Sequence, residues 1–451
     1  MNPSIFREYD IRGLAEKDFD APFAELLGKV HGTLVRARGG KRVAVGRDCR
    51  ATSDAYAEAV IAGLMSAGLR VYDVGVCPTP LLYFSLFHLD LDGGVQVTAS
   101  HNPAEYNGFK VCLGKETLFG SQIQELRQRM ERGEFKQEQG GRREAYEIIP
   151  QYHRYVLENV PRLARPLDVV IDAGSGVAGP VAPPIFRELG CTVWEIACVP
   201  DGRFPVHHPD PTVPENLSAL IAKVKDEKAD LGVAYDGDAD RIGVIDEKGN
   251  ILWGDELLIL FARDVLRDHP GATIISEVKC SQRLYDEIAR HGGKPIMWKA
   301  GHSLLKAKMK ETKALLAGEM SGHMFFADRY FGYDDAIYAS VRLAELLARA
   351  GRPLSALLAD VPKMVSTPEI RVDCPDEKKF SIAAKATEYF RQRYPVVDVD
   401  GVRVQFPAGW GLIRASNTQP ALVLRFEAAD SEKLAEYRKV IEDKLIELQN
   451  A

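Results

Sequence analysis

Residues 43–75 read VAVGRDCRATSDAYAEAVIAGLMSAGLRVYDVG. Positions 43–46 form an apolar strand, 53–68 a helix and 70–75 a second strand. Ser53 stands where an N-cap belongs and Gly68 where a helix stops. Two short buried strands joined by one helix are the unit from which parallel sheets grow, so this stretch predicts an α/β fold.

The alternation continues downstream. A helix at 79–89 leads to a strand at 94–99, and the pattern restarts with a strand at 167–171. Helix 177–189, strand 191–197, helix 214–228 and strands 231–235 and 242–246 follow. A third round comprises helix 255–267, strand 273–278, helix 281–291, strand 295–299, helix 303–312 and strand 314–317. The rounds repeat a structure with little residue identity. After the Pro-marked stretch 360–368 the pattern changes to strand 370–373, helix 376–394 and VVDVDGVRVQF at 396–406. There Asp400-Gly401 is a strong hairpin signal. Strands 411–415 and 421–427 and a helix from 431 complete a small α+β domain.

Composition narrows the class. At roughly 150 residues per domain, a chain of 451 residues predicts about three domains. Apolar residues at 46% and charged residues at 27% exclude disorder, collagen-like repeats and coiled coil. With 58 Lys plus Arg against 64 Asp plus Glu, the net charge of −6 argues against a general nucleic-acid binder. Seven scattered cysteines without a C-x-x-C pair form neither a disulfide framework nor a thiol zinc site, and they suit a reducing cytosol. The start, MNPSIFREYDIRG, lacks the apolar core of a signal peptide, and apolar runs such as 257–262 are far short of a membrane span. The expectation is a soluble, cytoplasmic, multidomain protein.

Four loops carry chemistry. In TASHNP (98–103) Ser100 is a nucleophile on a turn at a strand end, although an Asx turn would read the same. A Ser-His-Asp triad is not expected, since adjacent Ser100 and His101 side chains would not face each other productively. In DGDADR (236–241) Asp236, Asp238 and Asp240 repel one another unless a cation compensates, and hard cations want oxygen ligands at this density. An EF-hand is close, with Glu247 at its twelfth position, but Arg241 stands where its glycine must be and the flanks read as strands. In GEMSGH (318–323) Glu319 and Ser321 alternate, so an extended backbone would point both the same way, toward vicinal hydroxyls of a sugar. RASNTQP (414–420) offers a guanidinium, two hydroxyls and an amide with no acid, a set suited to a phosphate dianion. A decoy lies at 172–179, DAGSGVAG, where Gly174, Gly176 and Gly179 spell G-x-G-x-x-G between a strand and a helix. It would support an NAD-dependent oxidoreductase, but Glu195 comes early and mid-strand, so a turn built for close packing explains it better.

Taken together and in order, these loops resemble the α-D-phosphohexomutase superfamily, in its bacterial phosphomannomutase/phosphoglucomutase branch. FREYDIRG (6–13), TASHNPAEYNGFK (98–110), DGDADR, KAGHSLLK (299–306), GEMSGH and RASNTQP carry the resemblance across nearly the whole chain. It implies three related α/β domains with mixed sheets and a fourth, TATA-binding-protein-like α+β domain around a central cleft. The corresponding spans are 1–150 (phosphoserine), 151–250 (metal), 251–363 (sugar) and 364–451 (phosphate). The implied activity interconverts hexose 1-phosphate and hexose 6-phosphate through phospho-Ser100 and a reorienting hexose 1,6-bisphosphate, with Mg²⁺ held by Ser100, Asp236, Asp238 and Asp240. Lys110 and His302 are the implied proton-transfer groups, with Arg12 beside them. Tyr9, Arg241, Lys279, Glu319, Ser321, His323, Arg414, Ser416, Asn417 and Thr418 are the implied substrate contacts. Met320 matches the mannose/glucose branch, whereas phosphoglucosamine mutases, the nearest alternative, tend to carry Gln there. The implied partners are small sugar phosphates, with neither nucleic acid nor membrane, and the chain is expected as a monomer or weak dimer.

Overall fold

The protein is described by a computed structural model covering residues 1–450 apart from Pro161 and Thr418, with Asn450 described by its backbone alone. It comprises two compact units, Met1–Leu257 with Ser321–Leu357, and Leu258–Met320 with Leu358–Ala451.

In the first unit one sheet runs Ile11–Leu14, Tyr106–Leu113, Gly93–Val97, Arg42–Arg47, Arg70–Val76, Arg142–Ala145. Its last four strands are parallel, and the two beyond Gly93–Val97 are antiparallel. The strand at 93–97 is buried on both faces, and its one polar side chain, Gln96, donates to the Cys77 carbonyl at 2.9 Å. A second sheet orders Ile251–Leu252, Ile242–Asp246, Leu231–Tyr235, Asp168–Asp172 and Thr192–Ile196, parallel over the last three. Both sheets are mixed, as expected.

Helix boundaries differ from the sequence reading where a side chain finds a better partner. Ser53 is the first helical residue rather than the cap; Thr52 is the cap, and Ser53 Oγ donates to Asp48 at 2.5 Å. The helix expected over 177–189 is confined to Ala182–Glu188, whose first turn holds Pro183 and Pro184. The helix expected over 214–228 divides into a 3₁₀ turn, Pro214–Leu217, and an α-helix, Ser218–Glu227. The helix Ala336–Ala350 was missed, although Arg342, Glu345 and Arg349 recur at helical spacing; residues 336–348 are all buried. Asp335 caps it, accepting from Tyr338 N at 2.8 Å and from the hydroxyls of Tyr330 and Tyr152 at 2.8 and 2.9 Å.

The second unit contains parallel strands Thr273–Glu277, Lys294–Trp298 and Leu316–Gly318. It also contains an antiparallel sheet in which Ala421–Ala428 is flanked by Gly409–Ala415, Ile370–Asp373 and Val365–Ser366. The hairpin at Asp400-Gly401 forms as expected, pairing Val396–Val397 with Val402–Phe406. Helices Asp376–Arg391 and Ser431–Asn450 close a core around Phe390, Phe426, Ile441 and Leu445. All seven cysteines are free. Among the described residues no helix is long and apolar enough to cross a membrane.

One core residue carries a pH liability. His31, on the helix Ala21–Ala37, is wholly buried, and burial holds its imidazole down to about 4, only partly opposed by the Cys112 backbone. The unfolded chain binds that proton near pH 6.5, so stability is lost progressively as pH falls from about 6.5 to 4, by ~3 kcal/mol at the lower end. His31→Leu is expected to remove this slope. Relative to the native chain the variant should gain about 3 kcal/mol as pH falls from about 6.5 to 4; a pH-independent difference between them would reject the assignment.

Candidate active site

The Ser100 loop departs from a buried strand and turns sharply, with Ser100 in the left-handed region at φ 52°. Such a conformation is strained for a residue with a Cβ and has to be imposed by its surroundings. Arg50 imposes it. This buried guanidinium donates to the carbonyls of Ser100 (2.8 Å), Asn102 (2.6 Å), Pro103 (2.6 Å) and Tyr106 (3.0 Å). Asp48 holds Arg50 from behind at 3.1 Å and accepts from Thr98 Oγ1 at 2.8 Å. The sequence reading missed both residues. Their signal was the polar run RDCR at the exit of a buried strand.

The loop aims Ser100 Oγ at Asp236, to which it donates at 2.8 Å, with His101 Nδ1 at 3.0 Å. The expectation that Ser100 and His101 would not face each other is thus overturned; the left-handed turn brings their side chains together. Burial, and then the charges of Arg241 and Arg12, hold the His101 imidazole well below its ordinary value. Arg12 donates to Asn102 Oδ1 at 2.7 Å and pairs with Asp10, while Tyr9 lies half-buried in the same segment.

DGDADR is the loop of a hairpin between strands, which removes the EF-hand, and Glu247 is engaged elsewhere, accepting from Ser355 N at 3.1 Å. The chain curls around the Asp236 carboxylate, which accepts from the amides of Asp240 and Arg241 at 3.1 Å. Asp236, Asp238 and Asp240 are fully buried, with oxygens within 4.8 Å of one another. Burial, then Asp240 and Asp238, push the Asp236 carboxyl well above the usual range. Lys110 compensates by bonding Asp238 at 2.7 Å and also Asp240, and Thr79 donates to Asp238 at 2.6 Å. Burial alone would lower the Lys110 ammonium, but Asp238 and Asp240 outweigh it and hold it charged. Oδ1 of Asp238 and of Asp240 make no hydrogen bond among the described residues. Buried anionic oxygens left over after one lysine has been satisfied fit a hard divalent cation, and the triad can hold a metal ion.

The glycine decoy proves to be packing. A Cβ at Gly176 would meet the Gly237 carbonyl oxygen at 2.7 Å, and one at Gly179 the Cys198 carbonyl oxygen at 1.9 Å. A Cβ at Gly237 would in turn meet Ser100 O at 2.4 Å. Backbone fills the space a pyrophosphate would need, and the glycine turn serves to stack the metal-type loop against the serine loop.

Arg241 Nε donates to His323 Nε2 at 3.0 Å, and His323 Nδ1 faces Asp334 at 3.1 Å and Asp240 at 3.5 Å. The first unit therefore brings together Arg12, Ser100, Lys110, the three aspartates, Arg241 and His323. Asp334 was missed; it sits beside the helix cap Asp335 with no local motif to mark it.

The second unit gathers most of the remaining candidates, while Ser321 belongs to the first. Lys279 Nζ lies 3.1 Å from Glu369 and 3.8 Å from the fully buried Glu277. Burial would lower this ammonium, but Glu277 and Glu369 outweigh it and raise it. Burial pushes Glu277 up, helped by Glu319 and opposed by Lys279. Glu319 accepts from Gly301 N at 2.6 Å, next to His302, which opens the helix His302–Thr312. Residues 320 and 321 form a turn, so the extended alternation expected of Glu319 and Ser321 does not occur. Asp400 accepts from Arg414 Nε at 2.9 Å and from Ala300 N at 3.1 Å, giving the hairpin turn a second use. Ser416 Oγ accepts from Gln419 N at 3.2 Å, and Asn417 follows it in a bend. Thr418 lies outside the described residues.

Comparison with known proteins agrees with this geometry. Four family models match in succession: phosphoglucomutase/phosphomannomutase α/β/α domain I over residues 3–137, domain II over 150–249, domain III over 253–365 and the C-terminal domain over 369–444. A phosphomannomutase/phosphoglucomutase of Pseudomonas aeruginosa is 48% identical over 444 residues, 98% of this chain and 95% of that one. A phosphoglucomutase of Neisseria gonorrhoeae is 45% identical over 431 residues, covering 94% and 93%. The crystal structure of a phosphoglucomutase/phosphomannomutase family protein from Burkholderia thailandensis superposes with a TM-score of 0.93 at 44% identity, covering 99% and 98%. With four domain models matching in succession and a relative 48% identical over 98% of this sequence, the chain belongs to the phosphoglucomutase/phosphomannomutase family and is a phosphohexomutase, an isomerase.

Proposed function

We propose that the chain interconverts the 1- and 6-phosphates of glucose and mannose by phosphoryl transfer through phospho-Ser100. The observation that supports this reading best is Ser100 Oγ, 2.8 Å from a buried triad of carboxylates and set there by a strained loop that Arg50 braces. Phosphate monoesters resist cleavage, so catalysis depends on positioning and charge neutralisation.

Asp236, Asp238 and Asp240, with an oxygen on Ser100, would hold Mg²⁺. Bound there, the cation supplies charge neutralisation at the transferring phosphoryl group. In the first transfer the P–O bond to Ser100 breaks as a bond to the sugar hydroxyl forms, and the hydroxyl gives up its proton. The product is a hexose 1,6-bisphosphate. It turns over so that its other phosphate meets Ser100, and the reverse transfer restores phosphoserine. Lys110 is already charged and acts as counter-ion and acid; His302 serves the hydroxyl proton. Arg241 and Arg12 neutralise the reacting phosphate, while Lys279, Arg414, Ser416, Asn417 and Thr418 grip the idle one. Tyr9 lines the reacting end, and Glu319, Ser321 and His323 hold sugar hydroxyls. On this reading, spans 1–150, 151–250, 251–363 and 364–451 divide the work into serine, metal, sugar and phosphate loops.

Both sugars are favoured because the Pseudomonas relative is named for mannose and glucose and the Neisseria relative for glucose. The free thiols fit a reducing, cytoplasmic setting, and the chain is read as a monomer or weak dimer acting on small sugar phosphates. A coupled assay tests the specificity. Glucose 1-phosphate and mannose 1-phosphate are expected to agree in kcat/KM within about 10-fold, with glucosamine 1-phosphate ~100-fold poorer. Preference for glucosamine 1-phosphate would reject the assignment.

A further inference from the structure

Leu412 stands between Arg403 and Arg425 in the register of the C-terminal sheet, and Trp410 and Arg414 precede and follow it on the same face. The opposite face carries the core under the two helices, with Val404, Ile413 and Phe426. On the first face Trp410 and Leu412 pack against Val278, the residue before Lys279. Arg403 is wholly buried, and its guanidinium stacks on the Trp410 ring at 3.7 Å. Its Nη1 donates to the carbonyls of Val278 at 2.8 Å and Cys280 at 2.7 Å. Arg425, also buried, donates to the carbonyl between them, that of Lys279 itself.

Three consecutive carbonyls are thus held by two arginines of one sheet. Adhesion alone would not need them, because Val278, Trp410 and Leu412 already make an apolar contact there. Neutral carbonyls also compensate a buried cation less well than a carboxylate does. Burial works against the Arg403 charge, with Tyr285 and Glu427 opposing it. What two planar donor groups provide is direction. Each peptide unit is rigid, so fixing a run of carbonyls fixes where the side chain among them sets out.

We propose that Arg403 and Arg425 are positioning residues for Lys279: they aim its side chain so that its ammonium and the Arg414 guanidinium form one grip on a phosphate. The inference rests on Lys279 and Arg414 holding the idle phosphate, as proposed above. The two cations feel each other: burial and Arg414 lower the Lys279 ammonium, and Glu277 and Glu369 outweigh them. Neighbouring cations drift apart unless each is anchored. Arg414 has Asp400 at 2.9 Å, and Lys279 has Glu369 at 3.1 Å as well as its clamped backbone. An arriving dianion then meets charge already in place, with little side-chain freedom left to lose. Without Arg403 two of the three peptide units are released, and the ammonium can settle more closely on Glu277 and Glu369.

A double-variant cycle on the full chain, with glucose 1-phosphate as substrate, tests this. Arg403→Met keeps the stem against Trp410 and deletes the donors. It is expected to raise KM about 10-fold and to leave kcat within about 3-fold, since the idle phosphate is held alike in ground and transition states. Lys279→Gln is expected to raise KM about 30-fold. The double variant should match Lys279→Gln within about 3-fold, whereas independent losses would multiply to ~300-fold. Arg403→Lys keeps a charged donor without the planar fork, and its KM should fall between those of the native chain and Arg403→Met. Arg425→Met breaks one bond of the three and carries the same cycle if Arg403→Met does not fold. Losses that multiply, or a lower unfolding temperature with KM unchanged, would overturn the positioning role and leave a structural clasp. If Lys279→Gln itself leaves KM unchanged, Lys279 does not hold the phosphate, and the role of Arg403 and Arg425 falls with that reading.

Discussion

Ser100→Ala is expected to lower mutase activity by about 10³-fold or more while the chain stays folded. A 10³-fold loss corresponds to ~4 kcal/mol of transition-state stabilisation, the scale expected when the atom that carries the transferred group is deleted. The fold should tolerate the change for local reasons. Alanine has the same Cβ as serine, so the strain of φ 52° is unaltered, and the four carbonyl bonds from Arg50 are made by the backbone. Asp236 loses one donor but keeps the amides of Asp240 and Arg241. An unfolding temperature near that of the native chain, together with absent turnover of glucose 1-phosphate, is the expected pair of results. Ser100→Gly extends the test, since glycine adopts positive φ freely. It should be more stable than the alanine variant and equally inactive. Substantial turnover by either variant would show that the phosphoryl group does not pass through residue 100.

What the sequence revealed depended on whether a residue's partners were near it along the chain. The strand at 231–235 was legible because both faces are buried and the apolar run is unbroken. DGDADR was legible as a cation loop because its three carboxylates repel within five residues of one another. Arg50 was not legible, because the carbonyls it braces lie about fifty residues away and the run RDCR resembles any polar turn. Asp334 and Asp400 share this difficulty. Each sits in a short acidic or turn-like context, and its role is defined by His323 or Arg414 arriving from elsewhere along the chain. The helix Ala336–Ala350 failed in the opposite way. Its charged residues Arg342, Glu345 and Arg349 keep a helical spacing, but Arg342 and Glu345 are buried, with Arg342 paired with Asp328 and stacked on Phe326. The net charge misled for a similar reason. A value of −6 averages over a surface, whereas Arg12, Lys110 and Arg241 are gathered in one unit and Lys279 and Arg414 in the other.

Asp236→Asn is expected to move two readouts in opposite directions. Without divalent cation the variant should unfold at a higher temperature than the native chain. With Mg²⁺ it should lose most of its activity and most of the stabilisation that the cation brings. Burial and two neighbouring carboxylates push the Asp236 carboxyl well above the usual range, so its charge is a burden on the folded, metal-free chain at neutral pH. A carboxylate raised on folding costs stability as pH climbs from the ordinary carboxylate range toward the folded value, and none below it. Asparagine removes that charge yet keeps an oxygen to accept the Asp240 and Arg241 amides. Lys110 is untouched, because its partners are Asp238 and Asp240. The expected gain is on the order of 2 °C, the shift that ~1 kcal/mol produces in a large domain. The same substitution deprives a hard cation of one anionic oxygen, and a cation binding only the folded state stabilises in proportion to its affinity. The Mg²⁺-dependent rise in unfolding temperature should therefore shrink, and the Mg²⁺ concentration for half-maximal activity should increase by about 10- to 100-fold. A calorimetric scan at pH 5 and pH 8, each with and without Mg²⁺, separates the two effects. The metal-free advantage of the variant should be larger at pH 8, where the native carboxyl is under more pressure to ionise. If the variant is instead less stable without cation and responds to Mg²⁺ as the native chain does, the three carboxylates are a structural cluster satisfied by Lys110, and the cation belongs elsewhere.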